Sequence, residues 1–252
     1  MCMKRLLIFL AGLLLASLSY ASIGNETPLQ SVNIDLHNKA KLQRGAKIFM
    51  NYCSGCHSLK YLRYNRMAKD LGVTTFDGEV DQDLLFNNLV FTKSKIVDPI
   101  QISMPPEDAI QWFGVVPPDL SLTARVRGAP WIYTYLKSFY ADPSRPFGAN
   151  NLLIPDVAMP NVLEPLIGHV IAINKKDKQH DEDISHLVLV ERGRMNQHEF
   201  DSAMEDLVNF LVYVAEPVKL VRYRIGIGVL IFLGIFLIVA YQLKKTYWRR
   251  LH

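Results

Sequence analysis

The sequence predicts a mainly α-helical domain with long loops, followed by one C-terminal transmembrane helix. Three observations point there. Apolar residues recur at helical spacing over residues 39–52 and 202–215. Residues 70–83 and 150–165 show weak periodicity and many turn residues, as loops do. Residues 225–243 run for 19 positions without a charge, long enough to cross a bilayer. The 252 residues are 50% hydrophobic, enough to bury a core, which excludes a disordered tail or a collagen-like repeat. Three cysteines cannot staple a protein this size.

The elements follow in chain order. Lys4 and Arg5 precede an apolar stretch over residues 6–18, and Ser19-Tyr20-Ala21 offers a small-x-small cleavage site. That is a secretory signal peptide over residues 1–21, which takes Cys2 with it. Leu42, Ala46, Phe49 and Cys53 share one helical face, so residues 39–52 form a helix that runs into the cysteines. Pro117-Pro118 forces an extended step before Asp119, placed to cap a short helix ending at Gly128. Pro130 suits the first turn of a second helix through Trp131, Tyr135, Leu136 and Phe139. Residues 175–183 read as a charged, solvated loop. Ser202 and Glu205 form a capping box ahead of an apolar stripe from Met204 to Ala215, and Pro217 ends that helix.

Residues 225–243 would then span the membrane, with Tyr223, Tyr241, Tyr247 and Trp248 at its borders. Basic residues flank both ends of the span, so the exported N-terminus sets the orientation. Residues 22–218 lie on the periplasmic side and residues 244–252 form a cytoplasmic tail. Charge is divided the same way. Nine of the 28 basic residues sit in the leader or after Pro217, which leaves 19 against 24 acidic ones between the ends. The exported domain is acidic despite a whole-chain charge of +4. That excludes a nucleic-acid partner and favours a basic protein.

One motif carries most of the chemistry: Cys53-Ser54-Gly55-Cys56-His57. Two thiols three positions apart add across the two vinyl groups of a porphyrin, and the next imidazole reaches its iron. The reading is one covalently attached haem c per chain, on Cys53 and Cys56, with His57 as an iron ligand. A zinc site would need further ligands at short spacing, and a redox dithiol leaves the histidine unexplained. Among candidates for the sixth ligand, Met204 belongs to a core stripe and Met67 lies too close behind His57. Met104 and Met159 each precede a proline that holds the backbone extended. His169, His186 and His198 are rivals that read better as polar surface groups. The residues alone leave Met104 and Met159 level.

The segment from Cys53 through Ser58-Leu59-Lys60-Tyr61-Leu62-Arg63-Tyr64 resembles the haem region of the cytochrome c1 family. So do Pro117-Pro118-Asp119-Leu120-Ser121, Ala158-Met159-Pro160, and Ala215-Glu216-Pro217 before a single C-terminal span. The resemblance implies a cytochrome c-like haem domain in the bacterial inner membrane. It implies Met159 as axial ligand, Arg127 and Tyr133 near the haem propionates with Arg125 as a neighbour, and Pro117 and Pro118 packed on the haem. Trp112-Phe113 departs from the family, standing where mitochondrial relatives carry paired asparagines. No cysteine pair remains for the extra disulfide of some bacterial relatives.

The function implied is one-electron relay within ubiquinol–cytochrome c oxidoreductase, beside cytochrome b. The electron would come from the Rieske iron–sulfur subunit and pass to a soluble or anchored c-type cytochrome. The chain would be no enzyme on its own. An enzyme with an open iron position usually carries a second haem motif, and a haem sensor would need an output domain. The acidic residues Asp77, Glu79, Asp81 and Asp83, or the run Asp181-Glu182-Asp183, are candidates for steering a basic partner.

Overall fold

The computed structural model describes residues 27–174 and 184–249. The predicted signal peptide and the predicted loop at 175–183 lie outside the described residues. The core is built around two long helices. Helix α1 (Lys39–Tyr52) starts where the Asn38 side chain accepts from the Lys41 N–H, and it buries Leu42, Gly45, Ala46, Phe49 and Met50 on one face. Near the other end of the domain, α8 (Gln197–Ala215) crosses it. The crossing is close because position 45 has no side chain. A Cβ on Gly45 would lie 2.1 Å from the Asp206 carbonyl oxygen and 2.7 Å from Phe210 Cβ. Beside it Phe49 and Phe210 meet at 5.8 Å between ring centroids. Arg44 closes the edge of the interface with two hydrogen bonds, at 2.6 and 3.2 Å, to the buried Asp206 carboxylate. Gly45→Val is expected to cost about 3 kcal/mol or more by overpacking. A thermal unfolding curve superimposable on that of the native chain would refute this account of the crossing.

The helix α8 begins six residues before the predicted box. Asn196 and Glu199 cap it reciprocally, and its apolar stripe starts at Phe200, so Ser202 and Glu205 lie within the helix. Glu205 forms an ion pair with Lys41 instead.

Between these helices the chain forms β1 (Leu59–Arg63), α2 (Tyr64–Leu71), α3 (Gln82–Asn88) and β2 (Pro99–Ile100). It continues through α4 (Pro106–Phe113), α5 (Thr123–Val126) and α6 (Ala129–Lys137). Strands β3 (Phe139–Ala141) and β4 (Ala149–Asn151), the short α7 (Glu164–Ile167), and β5 (Gly168–Asn174) and β6 (Ile184–Arg192) follow. About half of the described structure is helical, as expected. A four-stranded sheet in the order β4-β3-β5-β6, parallel only between β3 and β5, was not foreseen. Gly168 allows the turn into it. Its φ is +107°, and a Cβ there would lie 1.9 Å from the Glu191 carbonyl oxygen.

Two helix boundaries differ from expectation. The α6 helix ends at Lys137, before Phe139, because Phe139 pairs with Asn151 as the first residue of β3. Asp119 does not cap α5. Its carboxylate accepts from the Ser121 and Lys60 backbone N–H groups at 2.9 Å each, and α5 starts without a side-chain cap.

The last helix, α9 (Lys219–Trp248), contains the predicted span and extends it at both ends. Among the described residues it is the one helix long and apolar enough to cross a membrane, and none of its residues is buried against the domain. Pro217 separates it from α8, and Arg222 pairs across the junction with Glu216 at 2.8 Å.

Candidate haem-binding site

The cysteine motif sits in a tight turn at the end of α1. The Cys53 and Ser54 N–H groups both donate to the Phe49 carbonyl, at 2.8 and 2.9 Å, and the Ser54 hydroxyl donates to Met50 O. The chain then folds back, with the Cys56 and His57 N–H groups on the Cys53 carbonyl at 3.1 and 2.8 Å. Four backbone donors and one hydroxyl therefore fix this turn. Burial pushes the Cys53 thiol up to about 12, with the nearby Cys56 thiol adding to the shift, and it raises Cys56 as well. Both thiols stay protonated at neutral pH.

His57 is held from behind. Its Nδ1 lies 2.7 Å from the Pro118 carbonyl oxygen, which can only accept, so Nδ1 carries the proton and Nε2 keeps its lone pair. Burial lowers the imidazole pKa, against smaller raising effects from Pro118 and Asp119, and favours the neutral, metal-ligating form. Pro118 is itself fixed, because residues 118–121 are stapled along the start of β1. The Leu120 N–H donates to Ser58 O at 2.9 Å and the Tyr61 N–H to the Ser121 hydroxyl at 3.2 Å. Two prolines suit this segment: neither needs a partner for an N–H, and the second presents its carbonyl to the imidazole.

The donor set fits a porphyrin better than a single ion. Among the described residues no three His, Cys, Asp or Glu side chains group closely enough to hold a metal ion, Cys53, Cys56 and His57 included. A porphyrin asks for that separation, with thiols at its periphery and imidazole at its centre. Residues on either side of Pro117-Pro118 also leave apolar surface uncovered: Trp112, Val115, Val116, Leu122 and Val126 are all exposed. Apolar surface beside a histidine whose Nε2 keeps its lone pair suits a large flat apolar group.

Met159 lies half-buried in the loop after β4, its Sδ accepting from the Tyr135 hydroxyl at 3.4 Å. Met104 lies half-buried in the turn leading into α4, which Pro105 and Pro106 open. Met67 and Met204 are fully buried in the core. His169 pairs with Glu164 at 2.9 Å, and His198 is exposed in the first turn of α8.

The helix α6 divides the predicted propionate residues. Arg127, exposed just before it, stands 5.0 Å over the Trp131 ring. Trp131 stacks on Tyr135 at 5.2 Å, and Tyr135 meets Phe139 edge-on at 5.2 Å. This ladder, with one residue per helical turn, leads from Arg127 to Met159. Tyr133 is buried among different partners, its hydroxyl accepting from Lys137, which pairs with Asp201 of α8 at 2.8 Å. The structure therefore brings Arg127, Trp131, Tyr135 and Met159 together and leaves Tyr133 outside that group. Arg125 is exposed. From the sequence the helix runs through Trp131 and Tyr135, but neither is given a part in the site. Their four-residue spacing from Arg127 was the available signal for a shared face. Burial raises the Tyr135 phenol to about 12, so its hydroxyl remains a donor.

Residues 30–251 match the Cytochrome C1 family. Cytochrome c1 of Allochromatium vinosum is 49% identical over 250 residues, covering 98% of this chain and all of that protein. A Nitrosomonas europaea protein named Ammonia monooxygenase gamma subunit is 41% identical over 250 residues, covering 99% of this chain and all of that protein. A chain from a solved structure named Hyperthermophilic respiratory Complex III aligns over 100% of both chains, with a TM-score of 0.43 and 16% identity.

Proposed function

The chain belongs to the cytochrome c1 family, and on that premise we propose that it relays single electrons from a Rieske iron–sulfur protein to a c-type cytochrome. Membership makes it an electron-carrying haem subunit of a bc1-type complex, beside cytochrome b and Rieske subunits, and implies haem c. The observation that carries the finer reading is the His57 imidazole, pinned through Nδ1 and left with one free nitrogen next to two thiols on a rigid turn.

Bound haem would supply a one-electron iron couple. The residues of this chain do the rest. Cys53 and Cys56 would hold one haem covalently, His57 and Met159 would ligate its iron, and Pro117 and Pro118 would pack beside it. Arg127 would offer a cation to the propionates at the far end of the aromatic ladder, and the resemblance to the family assigns Tyr133 the same task. With both His57 and Met159 as ligands the iron would be closed to exogenous molecules, which suits electron transfer rather than oxygen chemistry.

The haem domain, residues 22–218, is proposed to face the periplasm behind a cleaved signal peptide at 1–21. The span at 225–243 anchors it in the bacterial inner membrane, with residues 244–252 as the cytoplasmic tail. The acidic balance of the domain would steer a basic acceptor.

A stop after Lys219, with the leader kept, tests this assignment. Because α9 buries nothing against the domain, the shortened protein is expected to be soluble and to keep the haem spectrum of the full chain. It should reduce a basic cytochrome c at a rate that falls as salt rises from roughly 10 mM to 150 mM, over which the screening length contracts from about 30 Å to 8 Å. It should no longer support quinol-driven reduction. A rate that ignores or rises with salt would remove the basic partner from the proposal.

A further inference from the structure

We propose that the Tyr135 hydroxyl is a positioning and tuning group for the Met159 thioether, a role that rests on Met159 being the second iron ligand. A thioether sulfur has two lone pairs, so it can donate one to iron and still accept a hydrogen bond with the other. The Tyr135 hydroxyl donates to that sulfur at 3.4 Å. Its ring has little freedom to leave, being stacked on Trp131 and met edge-on by Phe139.

The sulfur is tied to the same helix. Asn151, fully buried, donates through Nδ2 to the Tyr135 carbonyl at 2.8 Å and accepts the Leu153 N–H at 2.9 Å. Its neighbour Asn150 accepts the Asp156 N–H at 2.9 Å, where the chain adopts a left-handed φ of 63° three residues before Met159. Two asparagines thus fasten the methionine loop to the helical residue whose hydroxyl meets the sulfur. Hydrogen bonding to the sulfur withdraws electron density from it. A less electron-rich thioether stabilises ferric iron less, so the bond raises the fraction of reduced protein at a given ambient potential.

Three forms of the full-length holoprotein in detergent test this: the native chain, Tyr135→Phe and Met159→Leu. Each is poised at the native midpoint potential, and the methionine-to-iron charge-transfer band is recorded in the oxidised form. Phenylalanine keeps both ring contacts and removes only the hydroxyl. The expected result is a shifted band and a ratio of reduced to oxidised protein lower by roughly two- to tenfold, the worth of one net hydrogen bond. Tyr135→Phe with the native ratio and band overturns the proposal while Met159→Leu still abolishes the band. Survival of the band in Met159→Leu instead overturns the ligand assignment, and the role of Tyr135 falls with it.

Discussion

Haem that survives acid–acetone extraction should vanish when Cys53 and Cys56 are both replaced by alanine. No other cysteine among the described residues can take their place, and Cys2 lies in the predicted leader. The backbone turn that presents the thiols is held by Phe49 and Cys53 carbonyls and needs neither sulfur, so the double variant isolates the attachment chemistry from local folding. Loss of a tightly bound cofactor also removes its contribution to stability, so lower accumulation in membranes is expected alongside. A covalent haem stain on the double variant would refute the assignment of both residues. The single variants should differ in degree. Cys53 is buried at the helix end, whereas Cys56 is more exposed, so alanine at 53 should leave the larger gap in the core while the turn itself persists.

Met159→Leu carries the second large effect. The charge-transfer band should disappear, cyanide and carbon monoxide should gain access to the iron, and the potential should fall by on the order of 100 mV, well inside the ~0.8 V that axial ligands command. Leucine matches the volume of methionine, so the loop that Asn150 and Asn151 fasten should persist. Met104→Leu should leave the band and potential unchanged. The reverse pattern, with Met104→Leu abolishing the band and Met159→Leu silent, would move the ligand to the turn before α4. The two outcomes are cleanly separable because the sulfurs belong to different loops.

What could be read from the sequence was local. The helix over Lys39–Tyr52 appears with those bounds, since its cap, Asn38, and its apolar face lie within fifteen consecutive residues. The cysteine motif was legible for the same reason, because its chemistry depends on spacing within five residues. The span was legible because 19 uncharged residues need no tertiary partner to be apolar. Where local signals competed, the reading failed. Ser202 and Glu205 have the spacing of a capping box, but Asn196 and Glu199 have it too and come first, and only the packing of Phe200 in the core shows which box is used.

The sequence by itself determined the Cys53–His57 motif, the principal helix leading into it and a C-terminal helix long and apolar enough to cross a membrane. Tertiary structure alone decided the rest. The sheet exists because Ala141 of β3 finds Ile171 of β5 with β4 and α7 between them in sequence, a pairing with no local sign. Asp119 serves β1 rather than α5 because Lys60 presents an N–H to it from a distant part of the chain. The face of α6 that meets the methionine is the one bearing Trp131 and Tyr135, not Tyr133, because Lys137 and Asp201 draw Tyr133 toward α8. Helical periodicity states which residues share a face. Which face turns to the ligand is fixed by contacts between residues far apart in sequence, and these form only when the chain is folded.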